Sequence, residues 1–338
     1  MHFTGVSFFI LHIMQFLDLI DIEKKLGNEW NLKKISFTQK AFGRIAITGE
    51  TGSGKSTLLK IIAGLEQADA GTVLFENQVV KGPLFTLIPG HPGIAYLSQY
   101  SELRNNYRIE ELLEYATKIP IALAEEIFEV CRIQHLLKRK NDQISGGEKQ
   151  RIALARLLVG SPRLLLLDEP YSNLDPIHKR ILKAVLADLN RRLKISTILS
   201  SHDPEDSLEW AEQVLVLQNG KLVQSGKPEE IYHFPCSQYV AGIFGDFNLF
   251  EEKELSNFPE VFTKGKELFI RPEEILPANR DTAILEAMVI SQKFMGSHYV
   301  FEAALHNGKK IRFNGRLQDF HPGEKASLAF QKQQHWFI

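Results

Sequence analysis

The chain is poor in cysteine. Cys131 and Cys236 are the two among 338 residues, with neither metal-ligand spacing nor the density of a disulfide framework, which excludes stapled secreted scaffolds and zinc modules and suits a reducing cytosol. No apolar run approaches the ~20 residues needed to span a bilayer. The apolar opening, residues 1–13, lacks the positive start and small-residue cleavage site of a signal peptide. It reads as an upstream extension, as from a misplaced start codon, with an extra strand or a membrane-surface anchor as alternatives. Charge of one sign is also missing: 40 basic against 41 acidic residues give a net charge of −1, with a pI near 6.8. With no basic run or aromatic-basic stripe, nucleic acid is not an expected partner. The length exceeds what one core normally fills, so more than one domain is expected.

What the chain has is Gly49-Glu50-Thr51-Gly52-Ser53-Gly54-Lys55-Ser56-Thr57. The run fits G-x-x-x-x-G-K-[ST], with a β-branched strand pattern at 44–48 before it and a helical pattern at 56–62 after it. Glycines let backbone N–H groups face phosphate oxygens, and the helix start adds a positive dipole end. Lys55 then reaches the β/γ oxygens and Ser56 ligates Mg²⁺. A glycine-rich turn with an incidental lysine is the plainer reading, and the strand and helix in order argue against it.

Arg163-Leu164-Leu165-Leu166-Leu167-Asp168-Glu169-Pro170 reads as a buried parallel strand ending in two carboxylates. Ligands of open α/β sheets bind at such ends. Asp168 is expected to hold Mg²⁺ through water and Glu169 to polarise the attacking water. Alone, an Asp-Glu pair is more often a solvated surface feature. Between the two strands lies Gln143-Ile144-Ser145-Gly146-Gly147-Glu148-Lys149-Gln150-Arg151, with Ser145 placed as the N-cap of a helix. Its free N–H groups and hydroxyl make a second anion site, one that a single protomer could not easily bring to its own loop. A partner is therefore required. Alone, Ser-Gly-Gly is a helix cap with a flexible entry.

Together these residues resemble the nucleotide-binding subunit of an ABC transporter, with Ile144-Ser145-Gly146-Gly147-Glu148 where that family has Leu-Ser-Gly-Gly-Gln. The resemblance covers roughly residues 15 to 240. It implies Gln99, in Tyr96-Leu97-Ser98-Gln99, as the Q-loop glutamine and a magnesium ligand. It also implies Ser172-Asn173-Leu174-Asp175 as the D-loop and His202 as the switch histidine. Alone, Gln99 would be a polar strand end and His202 a surface or satisfied core histidine. The family implies two copies docked head to tail, with ATP between the phosphate loop of one and Ser145, Gly146, Gly147 and Glu148 of the other. Two features depart from its pattern. The place of the adenine-stacking aromatic falls near Leu26, with Trp30 four residues on as a substitute or as an ordinary core or surface tryptophan. Glu148 stands for the usual glutamine, and its side chain is expected to face away from the phosphate.

The fold class expected is α/β: a phosphate-loop ATPase cassette with a RecA-like core, an antiparallel β subdomain and a helical subdomain at about 100–144, spanning 14–240. Helical patterns at 109–115 and 124–130 mark the arm, which the family places against the membrane subunit's coupling helix. After Phe234-Pro235, strand-like segments at 267–272, 299–305, 310–313 and 326–330 point to a small β-barrel in 241–338. Phe269-Ile270-Arg271-Pro272-Glu273-Glu274-Ile275 resembles the start of the OB-like (TOBE) barrel of maltose, spermidine and ferric-iron importer ATPases. That branch implies an ATP- and magnesium-dependent importer subunit on the cytoplasmic face of the plasma membrane. Its implied partners are a second copy, permease subunits and, indirectly, a solute-binding protein. An exporter or lipid-extraction ATPase, and a nontransport protein acting on ribosomes or DNA, are the alternatives.

Overall fold

The computed structural model describes residues 16–27, 29–99, 107–255, 265–317, 319–331 and 336–338. The N-terminal extension expected at 1–13 lies outside them. The chain divides into two compact units, Met1–Pro228 and Glu229–Ile338.

In the first unit, β1 (Leu17–Leu26) and β2 (Glu29–Gln39) form a long hairpin, followed by β3 (Arg44–Thr48) and α1 (Lys55–Ile62). The hairpin joins β4 (Ala70–Phe75) and β5 (Gln78–Val79) in an antiparallel sheet ordered β2-β1-β4-β5. Glu76 and Asn77, between β4 and β5, both have positive φ (52° and 65°), the twist that a two-residue hairpin demands. Next come β6 (Ile94–Leu97), α2 (Ile109–Ala116), α3 (Ile121–Val130), α4 (Gly146–Leu158) and β7 (Leu164–Asp168). The unit closes with α5 (Pro176–Asp188), β8 (Ser196–Ser201), α6 (Pro204–Trp210), β9 (Gln213–Gln218) and β10 (Lys221–Gly226).

The second sheet runs β10-β9-β3-β8-β7-β6, parallel except for β10. β7 lies inside it with every residue buried, which is why its sequence is a continuous leucine run rather than an alternating one. β3, β7 and β8 end together, so Thr48, Asp168 and Ser201 deliver the following loops to one edge. Leu58, Leu59, Ile61 and Ile62 seat α1 in the core that Ile47, Leu166 and Leu215 share. β10 is unforeseen in the sequence reading, although Asn219-Gly220, with φ of 49° and 75°, is a hairpin signal.

The second unit begins with α7 (Pro228–His233, which starts at the boundary) and α8 (Gln238–Ile243). It continues with β11 (Asn248–Phe250), β12 (Leu268–Ile270), β13 (Ile275–Pro277), β14 (Leu285–Phe294), β15 (Tyr299–Ala304), β16 (Lys310–Gly315), β17 (Lys325–Phe330) and β18 (Trp336–Phe337). An antiparallel sheet ordered β13-β17-β14-β15-β16 curls until its edges, β13 and β16, lie against each other, making the small barrel. Phe301 and Phe313 stack at 5.2 Å inside it, with Phe320 edge-on to both.

Residues 229–240 fall in this unit, whereas the sequence reading placed them with the cassette. Arg271 supplies the reason. It is wholly buried, Nη1 donating to the carbonyls of Ala241, Gly245 and Asp246 and Nη2 to that of Tyr232, at 3.0–3.2 Å. The Tyr232 and Phe269 rings lie 4.2 and 4.9 Å from its guanidinium carbon. Arg271→Ala would strand four carbonyls and two ring faces, and should destabilise this unit by about 3 kcal/mol or more. Urea unfolding of the full chain would show one transition moved to lower denaturant; an unmoved transition would contradict the role.

Candidate functional site

The phosphate-type loop leaves β3 at Thr48 and enters α1 at Lys55. Its glycines have φ of 152° (Gly49), 83° (Gly52) and 103° (Gly54), values that a side chain resists. Space forbids one as well: a Cβ on Gly49 would sit 2.3 Å from Leu217 O, and one on Gly54 would sit 2.6 Å from Leu32 Cδ2. Lys55 is buried, its Nζ donating to the carbonyls of Gly49 (2.7 Å) and Glu50 (3.0 Å). Burial pulls its ammonium below the ordinary lysine range, while Glu169 and Asp168 act the other way.

Asp168, at the end of β7, accepts hydrogen bonds from Ser56 Oγ (2.9 Å), Ser200 Oγ (2.7 Å) and Tyr96 OH (2.8 Å). Burial first, and then the Asp168 charge, raise the Tyr96 phenol, which keeps it a donor. Glu169 has left-handed backbone, φ 47°, a strain typical of functional turns. Ser200 Oγ accepts from its N–H at 3.0 Å, and Ser172 Oγ donates to its carbonyl at 2.8 Å. His202 Nδ1 lies 2.8 Å from Glu169 Oε2, and Gln99 Nε2 reaches Ser172 Oγ at 3.4 Å. Lys55, Ser56, Gln99, Asp168, Glu169 and His202 are thus joined in one neighbourhood.

Ser145, Gly146, Gly147 and Glu148 form a second cluster at the start of α4. Ser145 Oγ accepts from Glu148 N (3.3 Å), and Glu148 Oε2 accepts from Ser145 N (2.8 Å), a reciprocal capping box. The Glu148 carboxylate is turned back on its own helix cap. Asp175, the N-cap of α5, is bonded to His178, whose Nε2 lies 3.5 Å from Ser145 Oγ. Gln150 donates to Pro170 O, linking α4 to the turn after Glu169.

The loop suits a triphosphate: the glycines keep its backbone accessible, and Ser53 Oγ is buried without a hydrogen-bond partner. Ser56 and Asp168 offer hard oxygen donors, which suit magnesium shared with phosphate and water. Among the described residues no group of three His, Cys, Asp or Glu could hold a metal.

The profile described as ABC transporter matches residues 32–172 and the TOBE domain profile matches 268–338. The chain is 35% identical over 275 residues to the sulfate/thiosulfate import ATP-binding protein CysA of Mesostigma viride, covering 76% of this chain and 78% of that one. It is 30% identical over 334 residues to the spermidine/putrescine import ATP-binding protein PotA of Clostridioides difficile, covering 93% of each. The chain belongs to the ABC transporter family. An ATP-binding cassette of an ABC transporter solved in its ADP conformation superposes with a TM-score of 0.59 at 26% identity, covering 68% of this chain and 98% of that one. The ABC cassette binds ATP and is an ATPase.

Tyr96 and Ser200 carry no role in the sequence reading. Both lie on strands flanking β7, so the parallel order β8-β7-β6 is the signal that would have found them. His178 has no such signal.

The Ser145 backbone N–H, opposed by desolvation, leaves the Glu148 carboxyl below its ordinary range. That stabilisation is present above the unfolded carboxylate range and is lost as pH falls through the depressed folded value. Glutamine makes the same cap without a charge, so Glu148→Gln should keep the ATPase rate within about twofold while removing this acid-sensitive contribution. A steady-state assay giving a large rate increase would show that the carboxylate opposes phosphate.

Proposed function

We propose that this chain is the ATP-hydrolysing subunit of an ABC importer, working as a head-to-tail homodimer beneath two permease subunits supplied by a solute-binding protein. The observation that carries the import reading is the relationship to import ATP-binding proteins, which extends through the TOBE barrel to cover 93% of the chain. An exporter would not need that barrel. Among the described residues no helix is long and apolar enough to cross a membrane, so permease subunits would hold the protein at the cytoplasmic face.

Each residue has a part that its geometry supports. Lys55 would exchange the Gly49 and Glu50 carbonyls for phosphate oxygens, and the loop N–H groups from Gly49 to Thr57 would hold the rest. Ser56, Asp168 and Gln99 would hold magnesium, whose charge would offset that of the phosphates. Glu169, fixed by Ser200, Ser172 and His202, would orient the attacking water. His202 would add a contact to the terminal phosphate. Ser145, Gly146 and Gly147 of the second copy would cap it, with Asp175 at the junction, so that closure completes the site and hydrolysis reopens it.

Adenine is assigned to Trp30, which is 42% exposed. With Leu26, Asn31 and Gly52 it lines a cleft of about 610 Å³, and Lys25 Nζ stands 4.3 Å from its ring centre. Loss of a base stack costs about tenfold in affinity, so Trp30→Ala should raise KM for ATP by that order with kcat nearly unchanged. Equal KM values would remove Trp30 from this role.

Glu169→Gln keeps the shape and removes the base. It should retain ATP binding, lower turnover by at least ~100-fold, and accumulate an ATP-bound dimer on gel filtration. A variant hydrolysing at the unaltered rate would take Glu169 out of the reaction.

A further inference from the structure

Gly147 is buried, and what fills the space beside it is the imidazole of His178. A Cβ built on Gly147 would lie 2.4 Å from His178 Cδ2 and 2.6 Å from Cγ, so any larger residue there would expel the ring. The glycine does more than expose backbone N–H groups. It lets α5 press a titratable side chain against the entry of α4.

The ring is held at both nitrogens. Nδ1 lies 2.5 Å from Asp175 Oδ2, while Asp175 Oδ1 caps α5 by accepting from the N–H groups of Ile177 (2.9 Å) and His178 (3.1 Å). The His178 backbone N–H, then its side chain, hold the Asp175 carboxyl below the ordinary range. An ionised Asp175 fixes the neutral ring with its proton on Nδ1 and leaves Nε2 as an acceptor. Nε2 faces Ser145 Oγ at 3.5 Å, the outer limit of a hydrogen bond. That hydroxyl already accepts from Glu148 N, so its own proton is the group left to donate.

We infer that His178, anchored by Asp175, is a positioning residue for the Ser145 hydroxyl: it sets whether that hydroxyl gives its proton to the ring or to the nucleotide held by the partner. This rests on the composite-site reading above. With a neutral ring, the Ser145 proton points to Nε2. Without that acceptor, the hydroxyl proton is free to turn outward to phosphate. No bond but these hydrogen bonds changes. The neighbouring charges have their own partners: Glu148 is turned onto the Ser145 N–H, Lys179 onto Asp203 and Asp206, and Arg180 onto the Pro176 carbonyl. Asp175 is therefore the charge that acts on the ring directly.

The test uses the full chain carrying Glu169→Gln, and reads the ATP concentration that half-saturates dimer formation at one fixed pH. His178→Leu, which fills the space and offers no acceptor, should need about fivefold less ATP, roughly one hydrogen bond. His178→Gln, whose amide oxygen can take the same proton, should fall between the two. In a Ser145→Ala background, His178→Leu should change nothing further, because the ring acts through that hydroxyl. A change that persists without Ser145, or none with it, overturns the inference. If Ser145→Ala in the His178→Leu background leaves ATP-driven dimerisation unchanged, the composite-site reading falls and the inference with it. Should the leucine variant fail to fold, the glutamine variant and its double mutant decide the same question.

Discussion

Asp168 accepts three hydroxyl protons from three different elements: Ser56 on α1, Tyr96 on β6 and Ser200 on β8. This convergence fixes the helix behind the phosphate loop relative to the sheet. The same Ser200 oxygen accepts from the Glu169 N–H, so the second carboxylate inherits its place from the first. Glu169 can then hold left-handed backbone, at about 1 kcal/mol or more, because its N–H and carbonyl are both occupied. Chemistry at this edge depends on donors fixed before any nucleotide arrives.

The signature turn is built on a different principle. Its side chains are spent inward: Glu148 on the cap, Ser145 on Glu148 and His178, and the Gly147 gap on an imidazole. What remains outward is backbone N–H at a helix start, with a serine proton whose direction the ring controls. Such a surface lowers the energy of an anion delivered from outside, which is what the proposed pairing of two copies would supply.

Elements whose meaning is local were legible in the sequence. The glycine loop is defined by backbone conformations that only glycine adopts freely, and the leucine run of β7 by burial on both faces. The Ser145–Glu148 cap is an S-x-x-E signature. Elements whose meaning is long-range were not. Tyr96 and Ser200 reach Asp168 across 72 and 32 residues of sequence, through strand order alone. His178 meets Ser145 because two helices pack, which no spacing encodes. β14 is hidden for another reason: Leu285, Ala287 and Val289 face the core, but Met288 and Ile290 on the outer face erase the alternation. Residues 229–240 join the barrel because the buried Arg271 binds Tyr232 and Ala241.

The central claim, that one ATP is shared between the lysine loop of one copy and the serine turn of another, has a direct test. Cysteines placed at exposed Thr51 and at Gly146, where a Cβ meets nothing within 4 Å, would report the approach in a Cys236→Ser background, with Cys131 left buried. Mixing chains that carry one cysteine each and adding a short bifunctional cross-linker should give a covalent dimer with ATP and magnesium, and monomers without them. Cross-linking indifferent to ATP, or monomers that persist while nucleotide stays bound, would contradict the shared site.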